Sequence, residues 1–209
     1  MLHTAQEMTL VQKRSLQELV DIQPGYPFRG KLPLSNSGDA YVVQFRHIVV
    51  GARLIDSTGA GLDRARLTGR KKANFLRPGD VLFMAKGTRN QAAVVGEVPD
   101  NTVCTPNFYH LRLKPTVSEI TPDFLAWQLN HQEAQRYFTA CSQGSAAPSI
   151  TKAQLAGLTI AIPPMNQQLI LVKLADATLL EEHLLSQLID NRKRQLTALG
   201  NRILHSEHP

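Results

Sequence analysis

Cysteine is almost missing from this chain. Cys104 and Cys141 are its two thiols, too few for a zinc cluster or a disulfide framework. Long apolar runs are missing too, and none approaches the roughly 18 residues that cross a bilayer. The opening MetLeuHisThrAlaGlnGluMetThrLeu lacks the apolar centre of a secretion signal. Cysteine-stapled, secreted and membrane-spanning classes are therefore excluded, no membrane contact is expected, and the cytoplasm is the expected compartment.

Catalytic signatures are scarce as well. No GxSxG, phosphate-binding P-loop or GxGxxG opening a helix after a strand occurs. The seven histidines (3, 47, 110, 131, 183, 205, 208) show no paired spacing of the kind zinc needs. Ile162-Pro163-Pro164 superficially resembles the proline-rich loop of amino methyltransferases, but no Asn or Asp precedes it to hold a target amine. Asp80 and Lys86 flank one strand without the Glu-x-Lys of a metal-dependent nuclease, and Asp80 reads as a turn residue. The expectation is a chain with no catalytic residue, no metal and no cofactor of its own.

What is present begins with charge. Apolar residues at 43% allow a packed core, and a chain of 209 residues is one large domain or a domain with an extension. The net charge is +6, a balance that favours an anionic partner, nucleic acid first. It is unevenly placed. Residues 46–89 hold ten Lys or Arg against three acids, an excess of seven, whereas residues 165–209 hold five of each sign. Such a segment suits the displacement of counterions from phosphates. A merely solvated basic face is the alternative. Candidate DNA contacts are Arg29, Lys31, Lys71, Lys72, Lys86 and Arg89. Asn90 and Gln91, with Gln143 and Ser145 in a GlnGlySer turn, carry side chains of the kind that meet base edges.

The order of elements is strands first, helices later. Strands are expected at 41–45, 48–50, 81–84, 91–98 and 108–114, with ArgProGlyAsp at 77–80 as a turn. In the last strand Phe108, His110, Arg112 and Lys114 share one face and Tyr109, Leu111 and Leu113 the other. Thr121-Pro122-Asp123 has the marks of a helix start. A second helical stretch passes through Ala134, Tyr137, Phe138 and Cys141, Thr151 caps a short turn, and 158–162 alternates like a strand. After Pro163-Pro164 no proline interrupts residues 166–205, which read as one long helix. Leu185, Leu188, Leu196, Leu199 and Ile203, with Arg192 filling the gap, recur at spacings of three and four, the rhythm of a coiled-coil seam. A helix so much longer than the globular average of about 11 or 12 residues needs a partner.

PheLeuArgProGlyAspValLeuPhe (75–83) with Gly87 following resembles the central strand and loop of a target recognition domain. ArgLeuLysPro (112–115) then precedes IleThrProAspPheLeuAlaTrpGlnLeuAsn. GlySer (144–145), ProSerIle (148–150), LeuAlaGlyLeuThrIleAlaIleProPro, Gln167 and Gln168, and the leucine-rich helix complete the succession. SerLeuGlnGluLeuValAspIleGlnProGlyTyrProPheArgGly (15–30) fits the start of such a domain. This ordered set resembles the DNA-specificity subunits of type I restriction–modification systems. The resemblance implies an α/β (α+β) fold: a recognition domain of short twisted strands with a few helices over 1–164, and a single long coiled-coil helix over 165–209. Family members carry two recognition domains and two spacer helices, so the resemblance also implies a half-subunit. It would read double-stranded DNA as a homodimer, bind a methyltransferase (modification) subunit, and leave the methyl donor to that partner. A protein-interaction adaptor with a basic surface, or a small DNA-modifying enzyme, are the alternative readings.

Overall fold

The structure is a computed structural model that describes residues 11–30, 32–48, 58–68, 72–87, 90–142 and 148–205. Its architecture is mixed α+β. The central sheet is antiparallel, with β2 (Val20–Pro24), β8 (Phe108–Leu113), β5 (Val81–Met84) and β6 (Ala92–Val94) side by side in that order. Three further strands form a second sheet, in which β3 (Ala40–Val43) pairs antiparallel with β4 (Asp63–Ala65) and parallel with β7 (Thr102–Cys104). A two-stranded ribbon joins β1 (Gln12–Ser15) to β9 (Thr159–Ile162). Helices α1 (Leu16–Leu19), α2 (Pro122–Asn130), α3 (Gln132–Ser142), α4 (Lys152–Ala156) and α5 (Met165–Leu204) complete the described elements.

The central sheet is buried on both faces, because its strands carry apolar residues in both registers. From β5, Val81 and Phe83 enter the main core with Phe124, Leu125, Leu129 and Phe138 of α2 and α3. Leu82, one residue out of phase, packs the other way, against Val43 and Cys104 of the second sheet. Strand β8 follows the same alternation, with Leu111 in the main core and Phe108 in the second cluster. Tyr109 and Leu113 join Leu111 on one face, and His110 on the other is also buried.

Local signals set the helix starts. Thr121 Oγ1 accepts from Phe124 N–H at 3.2 Å, ahead of Pro122 at the first helical position. Thr151 and Gln154 cap each other reciprocally at α4. The ArgProGlyAsp turn forms as read, with Gly79 at φ +88° and Asp80 N–H donating to Arg77 O at 3.0 Å. Helix α2 also supplies edge partners to two strands. The Asn130 carboxamide bonds both backbone groups of Ala92 in β6 at 2.8 Å, and Gln128 bonds both of Ala161 in β9 at 2.6 and 3.0 Å.

Three expectations need correction. The strand expected over 41–45 stops at Val43, and Phe45–His47 forms a 3-10 turn, because Asp63 gathers the side chains of Gln44, Arg46 and His47. Beyond it, Ile48 is not in a strand, and 49–50 lie outside the described residues. The strand expected over 91–98 is confined to Ala92–Val94, since Gly79 and Asp80 of the turn take up the backbone of Val95. Strands β1, β2, β4 and β7 and the short α1 were not expected.

The described residues divide into two compact units with the boundary between Val172 and Lys173, inside α5, later than a division after Pro164. The first turn of α5 is fixed to the larger unit by Gln168, which is fully buried. Its Nε2 donates to Glu119 O at 2.7 Å and Pro163 O at 2.8 Å, while Oε1 accepts from Thr121 N–H at 3.1 Å.

Candidate nucleic-acid interface

Strands β2 and β5 both run antiparallel to β8. They therefore run the same way and release their following loops at one end of the sheet. Gly25 N–H donates to Phe108 O at 3.0 Å, Tyr26 N–H to Cys104 O at 2.8 Å and Ala85 N–H to Asn107 O at 2.9 Å, so both loops leave along the start of β8. Gly25 is required there: a Cβ would lie 2.0 Å from the Thr105 carbonyl oxygen. Beyond it Arg29 is exposed, its backbone N–H on Thr68 Oγ1 at 3.3 Å. Phe28, Leu67 and Ala73 all pack against the cluster of Tyr26, Ala40, Val42, Ala65 and Val103. That packing gathers their exposed neighbours Arg29, Arg66 and Lys72 around the three-stranded sheet.

The loop after β5 is fastened to the segment 148–150. Ile150 N–H donates to Ala85 O at 2.8 Å, Gly87 N–H to Pro148 O at 3.1 Å, and Lys86 bridges to Ser149. Gly87 takes φ +97°, where a side chain would be strained. Lys86 is exposed at this junction. The described flanks of the Arg89 segment and of the Gln143–Ser145 segment thus meet. Lys31, Lys71, Arg89, Gln143 and Ser145 themselves lie outside the described residues.

Cations fall into two groups. Arg14 pairs with Glu18 and Glu119, Arg46 with Asp63, and Arg112 with Asp80. Arg64 donates to Gly38 O at 2.6 Å and lies over Tyr41. These hold the fold. Arg29, Lys72 and Lys86 take part in no ion pair among the described residues, which leaves their charge to solvent or a ligand. The two candidate amides also differ. Asn90 is 7% exposed and donates to Met84 O at 3.1 Å, while its own carbonyl accepts from Gln135 Nε2 at 2.7 Å, so it belongs to the support of the loop. Gln91 is half-buried and bonds Met84 N–H through its backbone, with no side-chain partner among the described residues.

Asp80, the buried acid just before β5, is held by the fold. Asp80 is 2% exposed and accepts from Arg112 Nε and Nη2 at 2.7 Å, from Arg77 N–H at 2.7 Å and lies 2.7 Å from His110 Nε2. Burial pushes the carboxyl up, but the Arg112 and His110 hydrogen bonds, the charge of His110 and the Arg77 N–H outweigh it and hold it below the usual carboxylate range. The carboxylate in turn raises Arg112. Buried, and engaged by Arg112, His110 and Arg77 N–H, Asp80 is explained by its part in the fold. Sequence reasoning saw the turn but missed the ion pair. The signal was the turn itself: once Val81 pairs with Leu111, Asp80 falls opposite Arg112.

Helix α5 leaves its apolar row uncovered: Leu185, Leu188, Leu196, Leu199 and Ile203 are 50 to 73% exposed. Ile189, missed in the sequence, is 54% exposed, and with it the strict alternation runs Leu185, Ile189, Arg192, Leu196, Leu199, Ile203 while Leu188 flanks the row. Elsewhere, a groove of about 630 Å³ beside β9, walled by Trp127, His131 and Tyr137, includes none of the candidate residues.

Among the described residues no group of three or more His, Cys, Asp or Glu could hold a metal ion, and no helix is long and apolar enough to cross a membrane. A comparison with curated proteins finds no match. Solved structures do match in fold. A chain of a type I R-M system, solved for its complex assembly and conformational transition, superposes with TM-score 0.63 at 17% identity, over 97% of this chain and 47% of that one. The HsdS subunit from Thermoanaerobacter tengcongensis gives 0.60 at 19%, over 97% and 46%. The type I restriction-modification S subunit from M. genitalium gives 0.53 at 18%, over 94% and 46%. The chain therefore spans just under half the length of these solved chains. The family model described as type I restriction modification DNA specificity domain matches residues 8–189, and the chain belongs to that family.

Proposed function

We propose that this chain reads one half-site of double-stranded DNA, pairs with a second copy through α5, and brings that copy and a methyltransferase subunit to the site, without chemistry of its own. The observation that carries the reading is the common end of the central sheet, where the Arg29 loop and the Lys86 loop both emerge, with cations that no carboxylate holds among the described residues. Such cations position a protein on phosphates, while side chains between them read bases. Family membership and the fold shared with S subunits support the DNA partner and the methyltransferase partner. In this reading α5 is a spacer as well as a dimer seam, and two chains supply what one of the longer solved chains supplies.

Replacing Lys71, Lys72, Lys86 and Arg89 together with Ala is expected to weaken binding to any duplex. It should also flatten the salt dependence by up to about four charges' worth, read from titrations over a salt series. Single alanines at Gln91, Gln143 and Ser145 are expected to change preference among sequences more than overall affinity. An unchanged salt slope would return the basic surface to a role in solubility and favour an adaptor. Methyl transfer or magnesium-dependent nicking by the lone chain would favour an enzyme.

A further inference from the structure

We propose that Glu182 and Arg192 form the pair that fixes both the direction and the register in which two α5 helices associate. The inference rests on the homodimer reading and goes further, naming the residues that decide it. The alternation through Leu185, Ile189, Arg192, Leu196 and Leu199 continues toward the helix start through Glu182, Thr178 and Ala175. One charge of each sign thus stands in a mainly apolar seam, and both side chains are exposed. A charge shut between two helices is costly unless an opposite charge meets it.

Helix direction decides whether that happens. In a parallel, in-register pair each seam residue faces its own twin, so Glu182 meets Glu182 and Arg192 meets Arg192. In an antiparallel pair with its twofold axis at Gln187, Leu185 faces the partner's Ile189, Glu182 the partner's Arg192, Thr178 the partner's Leu196 and Ala175 the partner's Leu199. The ion pair occurs twice by symmetry. Leu188 then approaches the partner's Leu188 beside the axis, which closes the flank of the seam. Sliding one heptad either way sets Glu182 against the partner's Leu199 or Leu185, and Arg192 against the partner's Ile189 or Ala175. Of these arrangements, only the antiparallel register centred on Gln187 satisfies both charges. Arg192 Nη1 lies 3.1 Å from Gln195 Oε1 within its own helix, which leaves Nε and Nη2 to meet a carboxylate. A buried polar contact of this kind is a device that selects register in coiled coils.

The test uses the full-length chain in sedimentation experiments, with circular dichroism confirming that each variant keeps its helix. The wild type is expected to dimerise. Glu182→Arg and Arg192→Glu should each raise the dimer dissociation constant by roughly tenfold or more, because like charges then face each other twice. Glu182→Arg/Arg192→Glu in one chain should recover the dimer, and mixing the two single variants should give a heterodimer. Single variants that dimerise as tightly as the wild type, or a double variant that fails to recover, would overturn the pair while leaving the homodimer in place. A wild type that stays monomeric on the order of 10 micromolar would overturn both.

Discussion

Asp80 shows how much one side chain can organise. Its carboxylate, itself buried, closes the turn before β5, meets the cross-strand Arg112 with two hydrogen bonds and reaches His110. Removing the carboxylate takes a charged acceptor from Arg112, which is 29% exposed and keeps access to water, and from the buried His110 and Arg77 N–H. Asp80→Asn is therefore expected to lower stability by about 1–3 kcal/mol near neutral pH, read from urea unfolding. The sign of the pH dependence follows from the lowered carboxyl. The contribution of Asp80 is complete above the ordinary carboxylate range, about pH 4, and fades as pH falls through its lower folded value. The gap between wild type and Asp80→Asn should narrow in that acid window, and a gap of constant size would show that the ionised carboxylate is not what stabilises. Asn90 makes the same point about amides. Its residue type suits a base edge, yet its burial and its bond to Met84 O make it a brace, a distinction that lies in position and not in chemistry.

At the level of elements, the legible features were those encoded over a few neighbouring residues. The caps at Thr121 and Thr151, the ProGly turn and the alternation of β8 needed only local chemistry. Strand β4, AspArgAla, has no hydrophobic signal and exists because Ala40 and its neighbours pair with it across a distant stretch of chain. The arrangement of the candidate interface was legible only in part. Crowded cations marked residues 46–89, but bringing the loops after β2 and β5 to one end of the central sheet needs its strand order, which no local pattern holds. Gln168 was visible as a residue of the resemblance and silent about its task. Gln168→Ala would strip partners from Thr121 N–H, Glu119 O and Pro163 O. It is expected to cost about 3 kcal/mol or more and to speed amide exchange in the first turns of α5. Alanine at the neighbouring, exposed Gln167 should change stability by less than about 0.5 kcal/mol. Equal effects of the two would mean that the side-chain contacts of Gln168 do not secure the helix.

For the whole molecule, the exposed row on α5 is the dominant fact. Leucines displayed in sequence along a helix are an association surface. Replacing Leu188 and Leu196 together with Lys is expected to convert a species of twice the 23.1 kDa chain into the single chain, measured by light scattering. A dimer that survives the change would locate the contact on another surface. The paired carboxamides of α2 bear on a different kind of encounter. Strand β6 is the last of its sheet, and the outward backbone of Ala92 is a position where a strand from a neighbouring molecule could dock. Asn130 occupies that position from within the same chain, and Gln128 does likewise at Ala161. These amides act as stoppers against edge-to-edge growth. Their value would emerge less in a melting curve than in crowded solution, where the same molecule meets copies of itself and an open strand edge would let them add without end.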